Sequence, residues 1–130
     1  MTRRPYLQKP QRFGWWFRQA RYTRYMLREV SSLFIGAYTL VLIVGFYRLS
    51  QNQAAYESFL ANAMGTFGML FAIVALCFAI YHTYTWFVVT PKAMPIAIAG
   101  KRLPGAAIIA GHWAGFFIAS ALVWWLAGGN

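Results

Sequence analysis

Charged side chains are missing from three long stretches of this chain, residues 30–47, 58–91 and 103–130. Each stretch reaches or exceeds the ~18–20 residues a helix needs to cross the hydrocarbon core of a bilayer. The pattern predicts transmembrane helices at about 30–48, 63–90 and 105–127, preceded by a head over 1–29. The second stretch is longer than a bilayer requires and is expected to protrude, with Pro91 and Pro95 stopping its helix. In the third, Ala107, Gly111, Gly115 and Ala119 recur every four residues, a stripe small enough for another helix to approach closely.

The head has its own pattern. In "WWFRQARYTRYMLRE", Arg18, Arg21, Arg24 and Arg28 recur at three- and four-residue steps, while Trp15, Trp16, Phe17, Tyr22 and Tyr25 fill other positions. Cations and aromatic rings in that mixture suit a helix lying at headgroup level before the chain turns into the bilayer. The fold expected is an all-α membrane protein: one domain over 1–130, with three transmembrane helices and a basic, aromatic N-terminal interfacial helix.

Composition agrees. Hydrophobic residues make up 60% of the chain and charged residues 11%, where a soluble domain carries about a quarter charged. The first apolar stretch begins too late, and lacks the small-residue cleavage site, for a cleaved signal peptide. Twelve Lys and Arg oppose two acids. Eight of the cations precede the first span (Arg3, Arg4, Lys9, Arg12, Arg18, Arg21, Arg24 and Arg28), and only Arg48 lies in the first loop. Lys92, Lys101 and Arg102 lie in the second loop, and the tail has none. The positive-inside rule therefore predicts a cytoplasmic N-terminus and second loop, with the C-terminus on the opposite, periplasmic side. A net charge of +10 is also a nucleic-acid signal, but these cations adjoin membrane spans. Anionic lipid or an acidic face on a soluble partner is the expected counterpart, and nucleic acid is not.

Few polar groups fall at membrane depth. Glu29 opens the first span, His82 lies nine residues before Pro91, and His112 lies eight after Pro104, so the topology puts all three toward the cytoplasmic leaflet. His82 and Trp86 are four apart and share one helix face. Tyr81, Tyr84 and Trp86 make up an interfacial belt. Ionisable groups in a membrane are costly and usually face a cavity or a partner. A carboxylate, an imidazole and an indole near one interface suit a quinol, whose tail belongs in lipid and whose ring oxygens need a donor and a base. Each residue also has a plainer explanation: Glu29 pairing with Arg28 or capping a helix start, His82 bonding a carbonyl, Trp86 sitting in the belt. The lone Cys77 can neither form an internal disulfide nor hold a cluster. No dinucleotide fingerprint and no constellation for hydrolysis or phosphoryl transfer is present, so electrons must leave through another subunit.

At "RYMLRE" and "HTYTWFVVTPKAM", together with "RRPY" and "WWF", the chain resembles the C-type membrane anchors of bacterial quinol:fumarate reductase, in the haem-free form with four subunits. The resemblance runs nearly end to end and is most specific over 15–29 and 82–94. It implies three partners: a flavoprotein subunit that reduces fumarate, an iron–sulfur subunit, and a second three-helix membrane anchor, of the D type. It implies menaquinone as the quinone, with flavin and iron–sulfur clusters confined to partner subunits, and a bacterial inner-membrane location in anaerobic respiration. Carried over residue by residue, Glu29 accepts a quinol proton, His82 is a hydrogen-bond partner, and Arg28 and Trp86 line the same pocket. Arg28 would then supply positive potential or fix Glu29. Trp15, Trp16, Arg18, Arg21 and Arg24 would dock the soluble subunits, and Lys92 would be an interfacial anchor.

Two departures matter. Tyr84 stands where the family pattern carries lysine, altering the local potential. His112 in "AGHWAG" gives a second membrane histidine, and two histidines on adjacent helices can ligate a b-type haem. The resemblance to the haem-free branch argues against haem and against any metal site. The competing readings are a purely structural anchor and a haem-carrying cytochrome subunit of a succinate:quinone oxidoreductase. A small transporter subunit is a third, disfavoured because no polar path crosses the membrane.

Overall fold

The computed structural model describes residues 13–128, so the "RRPY" segment and the first four cations lie outside the described residues. A short 3₁₀ turn, Trp15–Phe17, leads into α1 (Ala20–Gln51), α2 (Gln53–Ala63) and α3 (Thr66–Ala93). A two-stranded hairpin follows, β1 (Ala97–Ile98) and β2 (Lys101–Arg102), and then α4 (Gly105–Gly128). α1, α3 and α4 are each long and apolar enough to cross a membrane. The chain is thus an all-α, multi-pass membrane protein, as the charge-free stretches predict.

The boundaries carry the corrections. α1 begins at Ala20, ten residues before the charge-free stretch, and runs unbroken for 32 residues. At 1.5 Å per residue that is about 48 Å, longer than the ~30 Å hydrocarbon core. Arg21, Arg24 and Arg28 therefore ride on an N-terminal extension of the first span itself, with no break between the interfacial part and the membrane part. Gly14, at φ 80°, turns the chain ahead of Trp15. The Trp15 ring then meets Trp16 and Tyr22 edge-on, at centroid distances of 5.8 and 5.4 Å. The Thr23 hydroxyl donates to the Trp16 carbonyl at 2.7 Å and pins the aromatic turn to the first turn of α1.

The second charge-free stretch is two helices, not one protruding helix. Asn52, in extended backbone, ends α1 and caps α2, its side chain accepting from the Ala55 amide at 2.8 Å. Gly65 then interrupts the apolar stretch, and α3 restarts at Thr66. The joint is tight: a Cβ on Gly68 would clash with the Ala63 carbonyl oxygen. Because that neighbour is backbone, the helices would have to move apart. Gly68→Ala is expected to destabilise the chain by about 1–3 kcal/mol, the usual range for overpacking. Thermal unfolding of the isolated chain in detergent checks this, with Gly115→Ala as the control. Nothing lies within 4 Å of the Gly115 position, so that change is expected to be neutral or mildly stabilising.

Pro91 does not stop its helix either. It lies inside α3, which continues to Ala93, where the Met94 amide still donates to Thr90 at 2.8 Å. A proline this close to a helix end removes one late hydrogen bond and leaves the last turn intact.

The chain divides into two compact units, one ending at Ala79 and the other beginning at Ile80. In the first, α1 and α3 meet through Phe34 stacked on Phe78 at 4.4 Å, and α2 folds back so that Phe59 covers the buried Gly45. In the second, Phe87 of α3 packs edge-on against Trp113 of α4 at 5.0 Å, and Gly105 sits against Pro91. Among the described residues, Ala75 and Ile108 are the buried apolar side chains and Ser31 is the buried polar one. So little internal burial leaves the large apolar side chains of all three spans to lipid or to other helices. Ala107, Gly111, Gly115 and Ala119 are exposed along α4, so the small-residue stripe is left uncovered by the described residues.

Candidate functional site

The four residues that the sequence marks for a quinol pocket lie two in each unit. Arg28 and Glu29 occupy the third turn of α1, while His82 and Trp86 lie on the part of α3 that belongs to the second unit.

On α1, Arg28 is half-buried, and its guanidinium carbon lies 5.6 Å from the centre of the Tyr25 ring one turn earlier. Glu29 is exposed, and its carboxylate has no hydrogen-bond or ion-pair partner among the described residues. Adjacent helical positions are turned about 100° apart, so Arg28 and Glu29 do not face each other. Both plain explanations for Glu29 fail here. It is nine residues past the start of α1, too far in to cap it, and it is not paired with Arg28. An uncompensated carboxylate at the edge of an apolar span is the costly arrangement that a partner or ligand normally relieves.

On α3, the His82 and Trp86 rings lie 6.1 Å apart at 54°, as their four-residue spacing requires. His82 is half-buried and Trp86 is more exposed. Tyr84 is exposed as well, about 160° around the helix from His82. It is therefore not on the His82 face.

His112 goes elsewhere. Its Nδ1 donates to the Ile108 carbonyl at 2.8 Å, and its ring lies 5.2 Å from Phe87. Phe87 follows His82 by five positions, which turns it about 140° away on α3. The side of α3 that His112 meets is thus turned away from the position of His82. No group of three or more metal-ligating side chains occurs among the described residues.

Sequence reasoning missed the hydroxyls. Ser31 donates to the Arg28 carbonyl and Ser32 to that of Glu29, at 2.5 and 2.6 Å. Thr85 donates to His82 and Thr90 to Trp86, at 3.0 and 2.7 Å. Each site residue thus has a hydroxyl bonded back to its carbonyl. Thr39 and Ser50 do the same elsewhere on α1, so this is first the general way a hydroxyl satisfies itself on an apolar helix. Ser31 stands apart because it is fully buried. The available signal was Ser or Thr three to four residues after each site position.

Two grooves open in the first unit, of about 370 and 410 Å³. The larger is lined by α1, α2 and α3 around Tyr38, Phe46, Tyr56 and Phe59. None of Arg28, Glu29, His82 or Trp86 lines either groove.

Comparison with known proteins decides the family. The family model for the C-type membrane subunits of fumarate reductase matches residues 1–127. The chain belongs to this fumarate reductase family. It is 35% identical over 121 residues to the fumarate reductase protein of the same type from Mycobacterium tuberculosis, covering 93% of this chain and 95% of that one. Its namesakes from Aliivibrio fischeri and Yersinia enterocolitica are 31% and 30% identical, covering 94% and 85% of this chain. The matches span 95% and 85% of those proteins, so the likeness is to whole subunits. The family and the three apolar helices together make this a membrane subunit of fumarate reductase, a chain that acts in a complex with other subunits.

Proposed function

We propose that this subunit anchors the flavoprotein and iron–sulfur subunits of fumarate reductase to the bacterial inner membrane, beside a second membrane anchor. We further propose that it helps to form the site where menaquinol is oxidised. The observation that carries this reading is the exposed Glu29 carboxylate at the edge of an apolar span, without a partner among the described residues. The His82–Trp86 pair, with its rings 6.1 Å apart on one face of α3, supports it.

In this reading the N-terminus is cytoplasmic, following the cations that precede α1. Menaquinol enters sideways from lipid, its apolar tail remaining among the lipid-facing side chains. Its oxidation to the quinone releases two protons and two electrons. Glu29 takes the proton of one ring hydroxyl, the proton of the other leaves from the ring oxygen that His82 hydrogen-bonds, and both protons pass on to the cytoplasmic side. The Trp86 indole forms a flat wall for the ring, and the Arg28 guanidinium raises the local positive potential. The electrons pass to the iron–sulfur subunit.

His82→Leu in the assembled complex tests the reading. It is expected to raise the KM for a soluble menaquinol analogue roughly tenfold or more, the consequence of losing a hydrogen bond of about 1.5 kcal/mol. Fumarate reduction by an artificial donor that bypasses quinol is expected to be unchanged. An unchanged KM would remove His82 from the site. The reading takes this subunit as an anchor without haem. A reduced-minus-oxidised visible spectrum of the purified complex is expected to lack a b-type band.

A further inference from the structure

The hairpin between α3 and α4 is unaccounted for by anchoring or by quinol chemistry. Its register pairs Ala97 with Arg102 and Ile98 with Lys101, and the Leu103 amide extends the ladder by donating to Ile96 at 2.9 Å. The turn is Ala99-Gly100, both with positive φ (49° and 75°), the two-residue geometry that matches strand twist. Alanine pays a strain penalty in that region, so the rest of the hairpin must hold the turn in place.

Side chains alternate along a strand, and directly paired residues share a face. One face of the hairpin therefore carries Ile96, Ile98, Lys101 and Leu103, and the other carries Ala97 and Arg102. The first face is apolar with one cation near its tip. Ile98 is 62% exposed, and Ile96 and Leu103 are exposed too. These residues lie beyond the ends of α3 and α4, past the stretches that a bilayer core must cover. Lys92, Lys101 and Arg102 are exposed, and no acidic residue occurs anywhere from 58 to the end of the chain.

We infer that the 96–103 hairpin is a membrane-surface element that binds anionic phospholipid. The Ile96, Ile98 and Leu103 face enters the boundary between headgroups and acyl chains, while Lys92, Lys101 and Arg102 pair with lipid phosphates. Continuity dictates the occupant. α3 ends and α4 begins at the same face of the bilayer, so a hairpin of eight residues between them stays within reach of that leaflet. Its charge is wholly positive, and its exposed face matches the amphipathic character of an interfacial element. Each cation at such a surface contributes about fivefold to the preference for anionic lipid.

The test is amide hydrogen exchange over residues 94–104 in the complex as isolated, placed in nanodiscs of phosphatidylcholine or of phosphatidylcholine with one-third phosphatidylglycerol. Exchange is expected to be at least fivefold slower in the anionic discs at low salt. Lys101→Gln with Arg102→Gln, or half-molar salt, is expected to erase the difference. Ile98→Gln is expected to speed exchange in both discs, with exchange across α4 unchanged as the sign that the fold is intact. Equal exchange in the two lipids overturns the proposal. So does protection that persists in detergent without lipid and vanishes when the soluble subunits are stripped away, because the hairpin would then be a protein contact.

Discussion

Glu29→Gln is expected to lower menaquinol-driven fumarate reduction by 10²-fold or more, the usual contribution of a positioned proton acceptor. The substitution keeps the size of the side chain and most of its hydrogen-bonding capacity but removes its ability to take a proton. It lies on an exposed position of α1 with no partner among the described residues to lose, so assembly and stability are expected to stay unchanged. The loss should fall on kcat with menaquinol and spare reduction of fumarate by an artificial donor. The pH profile of quinol oxidation should change shape as well, because the group whose ionisation shaped it is gone. Glu57 provides the contrast. It accepts from the Gln53 amide at 2.7 Å on α2, and Glu57→Gln is expected to leave turnover as it was. If both variants turned over like the parent, the chain would be an anchor only.

The second large effect concerns attachment. Trp15 and Trp16 form an aromatic turn folded onto Tyr22 beside Arg18, Arg21 and Arg24, and all three arginines are exposed. Rings rimmed by cations offer a soluble partner both buried area and charge complementarity. Trp15→Ala with Trp16→Ala is expected to weaken retention of the soluble subunits on membranes roughly 30-fold or more, a hot-spot loss of at least 2 kcal/mol. A salt titration of washed membranes, followed by assay of released fumarate reductase, measures it. Trp124→Leu, near the other end of α4, is expected to have no such effect. Lost turnover with attachment intact would contradict this assignment.

Much of the architecture was legible because lipid imposes one strong rule: a span must be long and uncharged. That rule located α1, α3 and α4 directly. It could not locate their ends. The cations of the head read as a separate surface helix, although Arg21, Arg24 and Arg28 extend α1 by whole turns that lipid does not require to be uncharged. It could not divide 58–91 either, since Gly65 and the close approach at Gly68 break the helix without changing hydropathy. The hairpin was hidden for a similar reason: Ala99-Gly100 is an unusual turn pair, and only Gly100 advertises a positive φ.

The site was legible in part. Four-residue spacing was enough to place His82 beside Trp86, because a helix leaves no other choice. Spacing also put His82 and His112 at one depth, where a shared ligand was conceivable. Depth along two helices says nothing of rotation about them, and Phe87, turned away from His82, is the residue that His112 meets. The relation of Glu29 to His82 depends on how separate helices assemble, which one-dimensional patterning does not encode.

The most direct measurement is a map of the assembled complex with menaquinone or a headgroup inhibitor bound. The proposed function predicts a quinone ring with Glu29 and His82 each within hydrogen-bonding reach of one of its oxygens and the Trp86 indole flat alongside. A ring bound without touching either side chain would contradict the account.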